Sequence, residues 1–129
     1  MKNVILLFVF ILCGCSKTDP GEAILGKWEL VAEGEKKDKM ETIEPNGAYM
    51  EFLSDGVYRL YYPIEDEYYC SSYKIDRKFL YYNYEKTYEQ GRFDHTYRFT
   101  ENQLITTYVY GNRQDIMGLP NIFIYQRKK

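Results

Sequence analysis

Between residues 24 and 127 the chain is cut into eight short runs, each rich in aromatic or β-branched residues and each closed by a turn signal. The runs are 24–32, 49–53, 57–62, 69–75, 79–84, 93–99, 104–110 and 122–127. Several alternate strictly: Phe93, His95, Tyr97 and Phe99 stand against Asp94, Thr96 and Arg98. Side chains on a strand point to opposite faces with a period of two, so this pattern marks half-buried strands. Ser54-Asp55-Gly56 is the sharpest hairpin signal, because Asp-Gly tolerates the positive φ that tight turns need. No apolar run keeps a period near 3.6 long enough for a sizeable helix. The charged run over 33–44, with Lys36-Lys37-Asp38-Lys39 inside it, reads as a solvated loop with at most a short helical turn.

Eight strands joined mostly by short sequential connections describe an up-and-down meander. An open sheet of that size leaves two unpaired edges, and closure removes them. The expectation is therefore all-β: an eight-stranded antiparallel up-and-down barrel without a large helix. Such a barrel is wide enough for packed side chains or one small ligand. The 15 Tyr and 7 Phe suit it, since aromatic residues fit a pleated, half-buried surface.

The first residues do not belong to that fold. Met1-Lys2-Asn3 is a basic start, 4–12 is an unbroken apolar run, and Leu12-Cys13-Gly14-Cys15 follows. This is the layout of a secretory signal peptide, expected over 1–14 and cleaved. The run is too short for a membrane-spanning helix. Leu12-Cys13-Gly14-Cys15 resembles the bacterial lipobox, with Cys13 where Ala or Ser is commoner. That resemblance implies that Cys15 becomes the lipidated first residue and anchors the chain to a membrane through several acyl chains, a lasting attachment where one chain would be marginal. Residues 15–23 then form a flexible tether of small, polar and breaker residues. Ser16 after the cysteine resembles outer-membrane sorting in the bacterial envelope and leaves the periplasmic or surface side open. Removing 1–14 takes away Lys2 and moves the formal net charge from -2 to -3. No basic stripe supports nucleic-acid binding. With Cys13 removed and Cys15 acylated, Cys70 stands alone.

Gly26-Lys27-Trp28 opens the first run and Tyr125-Gln126-Arg127-Lys128 ends the last. A Gly-x-Trp first strand, eight strands and a late Arg resemble the lipocalin pattern. With Cys15 and Phe52-Leu53-Ser54-Asp55-Gly56, the chain over 15–129 is similar to the small lipocalin-like lipoproteins of Bacteroidota. The resemblance implies a barrel domain over 24–129 with Gly26, Trp28 and Arg127 as its fold signature. Arg127, on the strand that closes beside the first, can stack on the Trp28 face.

Chemistry is sparse. His95 is the only histidine, and its neighbours Asp94 and Thr96 point to the other face of the strand. No metal site, no cofactor and no catalytic constellation is expected, so the chain reads as a binding protein, a monomer, rather than an enzyme. The lipocalin resemblance implies a small apolar or amphipathic ligand in the barrel. Tyr61, Tyr73, Tyr82, Tyr97 and Tyr108 are the candidate contacts. Two other readings are an envelope protein that meets glycan or a partner through exposed tyrosines, and an inhibitor or immunity-type lipoprotein. Adjacent pairs such as Tyr61-Tyr62 and Tyr81-Tyr82 must split between the two faces of a strand, which places some tyrosines outside.

Overall fold

The computed structural model describes residues 19–110 and 119–129. The signal peptide expected over 1–14, the lipidation at Cys15 and the first part of the tether lie outside the described residues.

The chain forms a closed eight-stranded antiparallel barrel of lipocalin-like, up-and-down form. In chain order the strands are β1 (Gly26–Gly34), β2 (Met40–Thr42), β3 (Tyr49–Phe52), β4 (Val57–Tyr62), β5 (Glu67–Ile75), β6 (Phe79–Tyr82), β7 (Phe93–Phe99), β8 (Gln103–Tyr110) and β9 (Ile122–Arg127). From β3 to β9 each strand pairs with the next, and β9 pairs back to β1 to close the ring. A single helical turn, α1 (Pro20–Ala23), stands at the end of the expected tether, capped by Asp19.

The strand β2 falls inside the charged run read as a loop. It has three residues, is largely exposed and pairs only with β1, so no hydrophobic alternation announces it. Gly34 makes the turn into it feasible: a Cβ there would meet the Lys39 carbonyl oxygen at 2.3 Å. β2 and β3 share one edge of β1. β3 pairs with Gly26–Trp28, whereas β2 pairs with Ala32–Gly34. The stretch of β1 between them, around Leu30, changes partner.

A bulge between Leu30 and Ala32 on the β1–β9 seam also turns the strand over. Trp28 and Leu30 face the interior, but Ala32, expected on the same face, pairs with outward Ile124. Glu33 pairs with Phe123 and so takes the inward side.

The end of the barrel where β1 begins is packed shut. Ile24, Trp28, Phe52, Leu80 and Leu104 are each 0–2% exposed. Full burial of one such side chain contributes about 1.5–3 kcal/mol, so this layer dominates the core. Tyr73 and Tyr97 belong to the same end and donate to turn carbonyls, Tyr73 to Leu53 and Tyr97 to Asp76.

The β5–β6 turn is held by Asp76, whose carboxylate accepts from the Phe79 and Lys78 backbone N–H groups, each at 2.8 Å, and from the Tyr81 hydroxyl at 3.0 Å. The Phe79 and Lys78 donors favour the anion and hold the Asp76 carboxyl below its ordinary range. A carboxylate depressed in the folded state adds stability above its unfolded pKa, about 3.9, and loses it as the pH falls through the folded value. Urea denaturation should therefore show Asp76→Asn below wild type at pH 7, with the gap closing as the pH drops below about 4. A constant gap would show that the turn does not depend on the charge.

Candidate functional site

The opposite end of the barrel is not filled. A cleft of about 200 Å³ opens beside Leu30, where β1 has left β3 and not yet met β2. Trp28 and Leu30 supply its β1 wall, Met50 and Leu60 its β3–β4 wall, and Tyr125 its β9 wall. Ala48 and Tyr49, at the start of β3, and Tyr61 and Tyr62, at the end of β4, form the rim. Leu60 and Tyr62 also border a more open hollow of about 390 Å³ with Glu65 and Tyr69, so the cleft continues towards the β4–β5 loop. Its deep wall is almost entirely apolar. A space with such a wall can hold an apolar group.

Beyond the Tyr125 wall lies a polar interior. The Tyr82 ring meets Tyr58 at 5.3 Å and His95 at 5.0 Å, and His95 meets Tyr108 at 5.3 Å and Phe123 at 5.9 Å. Tyr58 donates to Asn83 at 2.8 Å. Burial pushes its hydroxyl up to about 12. The Tyr82 hydroxyl and the Thr106 hydroxyl are buried with no hydrogen-bond partner among the described residues. Desolvation raises the Tyr82 and Tyr125 hydroxyls well above the ordinary phenol range. The two hydroxyls are close enough to influence each other's ionisation.

Gly26, Trp28 and Arg127 meet at the closed end. Trp28 and Arg127 are cross-strand partners, and the guanidinium lies 4.1 Å from the indole ring. The same guanidinium donates to the carbonyls of Leu25 at 2.6 Å and Ala23 at 2.7 Å, while the indole N–H donates to Ile24 at 2.8 Å. The last carbonyls of α1 and the residues just after it are thus capped by the barrel, the part a helix cannot satisfy by itself. Gly26 has φ +112°, and a Cβ there would stand 3.0 Å from the guanidinium.

The five candidate tyrosines divide. Tyr73 and Tyr97 are committed to the closed end. Tyr82 and Tyr108 flank His95 inside. Tyr61 alone borders the cleft, from an outer stack with Tyr49 at 5.2 Å and Tyr68 at 4.8 Å. Leu30, Ala48, Leu60, Tyr62 and Tyr125 line the cleft without having been singled out from sequence. Of these only Tyr125 carried a usable signal, the alternation Phe123, Tyr125 along the last run.

The outward tyrosines are contiguous but largely occupied by neighbouring side chains. Lys27 lies over Tyr49 at 4.8 Å and Arg59 over Tyr68 at 4.9 Å, with Arg59 also paired to Glu51 at 2.7 Å. A second group places Arg92 over Tyr81, Tyr84 and Tyr88 at 5.0, 5.0 and 5.4 Å. These cations cover ring faces that a sugar would need. A larger hollow of about 470 Å³ lies on the outer wall among Met40, Ile105, Ile122 and Ile124, and it shares no residue with the interior. No protein-family model matches this sequence, and no curated protein matches it.

Proposed function

We propose that this protein is a lipid-anchored, lipocalin-like binding protein of the bacterial envelope that holds a small apolar or amphipathic ligand in the cleft beside Leu30. The observation that carries the reading is the cleft itself: an apolar-lined space reaching Trp28 and Tyr125. Its volume is below the roughly 300–1,000 Å³ of pockets that enclose drug-sized molecules, so it suits one slim chain rather than a fused-ring compound. The membrane attachment rests on the lipobox-like residues ending at Cys15. The proposal is of a monomeric binding protein rather than an enzyme.

Trp28 is the only tryptophan and lines the cleft, so its emission reports occupancy. Titrating purified protein with an eight-carbon chain, offered as 1-octanol and as octanoate, should give saturable changes in Trp28 fluorescence and heat of binding. Ala48→Phe, which places a ring in the rim, should weaken the bound probe at least about tenfold, since a filled pocket loses the burial of several CH2 groups at about 0.8 kcal/mol each. Equal affinity in the variant, or no saturable binding of either probe, would refute a ligand in this cleft.

A further inference from the structure

The cleft opens into a second hollow, and the side chains there carry a charge preference. Resting on the binding reading above, we propose that the ligand is a single-chain amphiphile with an ammonium head group. Its chain lies in the cleft beside Leu30, and its head is held by Tyr62, Tyr69 and Glu65.

The two spaces are continuous. Leu60 and Tyr62 line both the cleft and the more open hollow, which Glu65 and Tyr69 complete. Register explains why these rings turn towards the cleft and not towards the outer wall. Leu60 stands opposite Tyr69, and Tyr62 opposite Glu67. Residues opposite each other, and residues two apart, share a face of the sheet, so Tyr62, Tyr69 and Glu67 continue the face that Leu60 presents to the cleft. Tyr61 and Tyr68, the pair between them, belong to the other face and to the outer stack. A chain that leaves the cleft past Leu60 and Tyr62 enters the hollow lined by Tyr69 and Glu65.

The rings in this hollow are open to a cation. Tyr49, Tyr68, Tyr81, Tyr84 and Tyr88 each lie under a lysine or an arginine. Among the described residues no cation lies over Tyr62 or Tyr69. These two meet edge to face at 5.3 Å and are 41% and 54% exposed. An aromatic face attracts a cation through its ring quadrupole, and quaternary ammonium groups suit such faces especially well.

The charge has the matching sign. Asp66 accepts from the Tyr61 hydroxyl at 2.9 Å, and Glu67 accepts from Tyr69 at 2.8 Å. Glu65 lines the hollow and has no hydrogen-bond or ion-pair partner among the described residues. An ammonium head would meet two ring faces and this carboxylate. A carboxylate head would instead meet the like charge of Glu65, with Asp66 and Glu67 beside it. The hollow is open, so each contact is modest and the head is selected by their sum.

The experiment titrates octyltrimethylammonium, 1-octanol and octanoate into the purified protein by calorimetry at pH 7 and low salt. Octyltrimethylammonium should bind about 5- to 30-fold more tightly than 1-octanol, and octanoate most weakly. Glu65→Gln and Tyr69→Leu should each lower the preference for the ammonium about 2- to 5-fold, and the double variant should abolish it. All three variants should bind 1-octanol as wild type does. Glu101→Gln, in the turn between β7 and β8 at the closed end, is the control for net charge and should keep the full preference. Three results each overturn the ammonium head while leaving the cleft a binding site: octyltrimethylammonium no tighter than 1-octanol, a preference that survives the double variant, or an equal loss in Glu101→Gln. Failure of all three probes overturns the binding reading with it.

Discussion

Replacing Trp28 with alanine will cost about 4 kcal/mol of folding stability, a large share of the roughly 5–15 kcal/mol that holds a typical domain together. The indole is 2% exposed at the centre of the closed end, and truncating a buried Trp to Ala costs about 3–5 kcal/mol from lost transfer energy and the cavity left behind. Two further losses add to it. The Ile24 carbonyl loses its donor, and Arg127 loses the ring it lies over. Urea denaturation followed by circular dichroism measures the change without relying on the deleted fluorophore. A cost below about 1.5 kcal/mol would mean that the closed end repacks and that Trp28 does not hold it. A double-mutant cycle with Arg127→Ala should return a coupling of about 0.5–2 kcal/mol, the range of a partly desolvated cation–π contact.

The second large effect is on the outer wall. Asp94 is 3% exposed although it points away from the barrel interior, because Arg92 and three tyrosines roof it. Arg92 pairs with it at 2.9 Å, and the Tyr88 hydroxyl donates to it at 2.8 Å. Arg92→Ala strips the cation and leaves a buried carboxylate with a phenol as its nearest donor. Breaking one side of a buried pair costs about 3–5 kcal/mol, and Arg92 is itself partly exposed, so about 3 kcal/mol is expected. Adding Asp94→Asn to Arg92→Ala should restore about half of it, since the uncompensated charge is then gone. A double variant no more stable than Arg92→Ala alone would show that the lost ring contacts of Arg92, and not the stranded carboxylate, set the cost.

The barrel was legible in sequence because its cause is local. Alternation over 93–99 forces His95, Tyr97 and Phe99 inward, and Asp55-Gly56 forces a hairpin, whatever the rest of the chain does. The pairing of Trp28 with Arg127 was also within reach, since closing the ring sets the last strand against the first. The cleft was not legible, because it arises from register. Leu30 borders a gap only because β2 takes over from β3 along β1, and β2 is a three-residue edge strand in a charged run with no hydrophobic pattern to announce it. The bulge after Leu30 is equally silent in sequence, yet it alone decides that Glu33 and not Ala32 faces inward. Tyr73 and Tyr97 were candidate contacts, and both are committed to the closed end. What separates them from Tyr82 is how far along the barrel each lies, a coordinate that alternation does not encode.

The capping of α1 by Arg127 has an orientational consequence. Residues 19–25 are fastened to the closed pole, and the cleft and the β4–β5 loop lie towards the other. A chain held at Cys15 would be joined to the barrel through residues 19–25. The attachment then enters at the sealed pole, and the cleft lies towards the pole away from it.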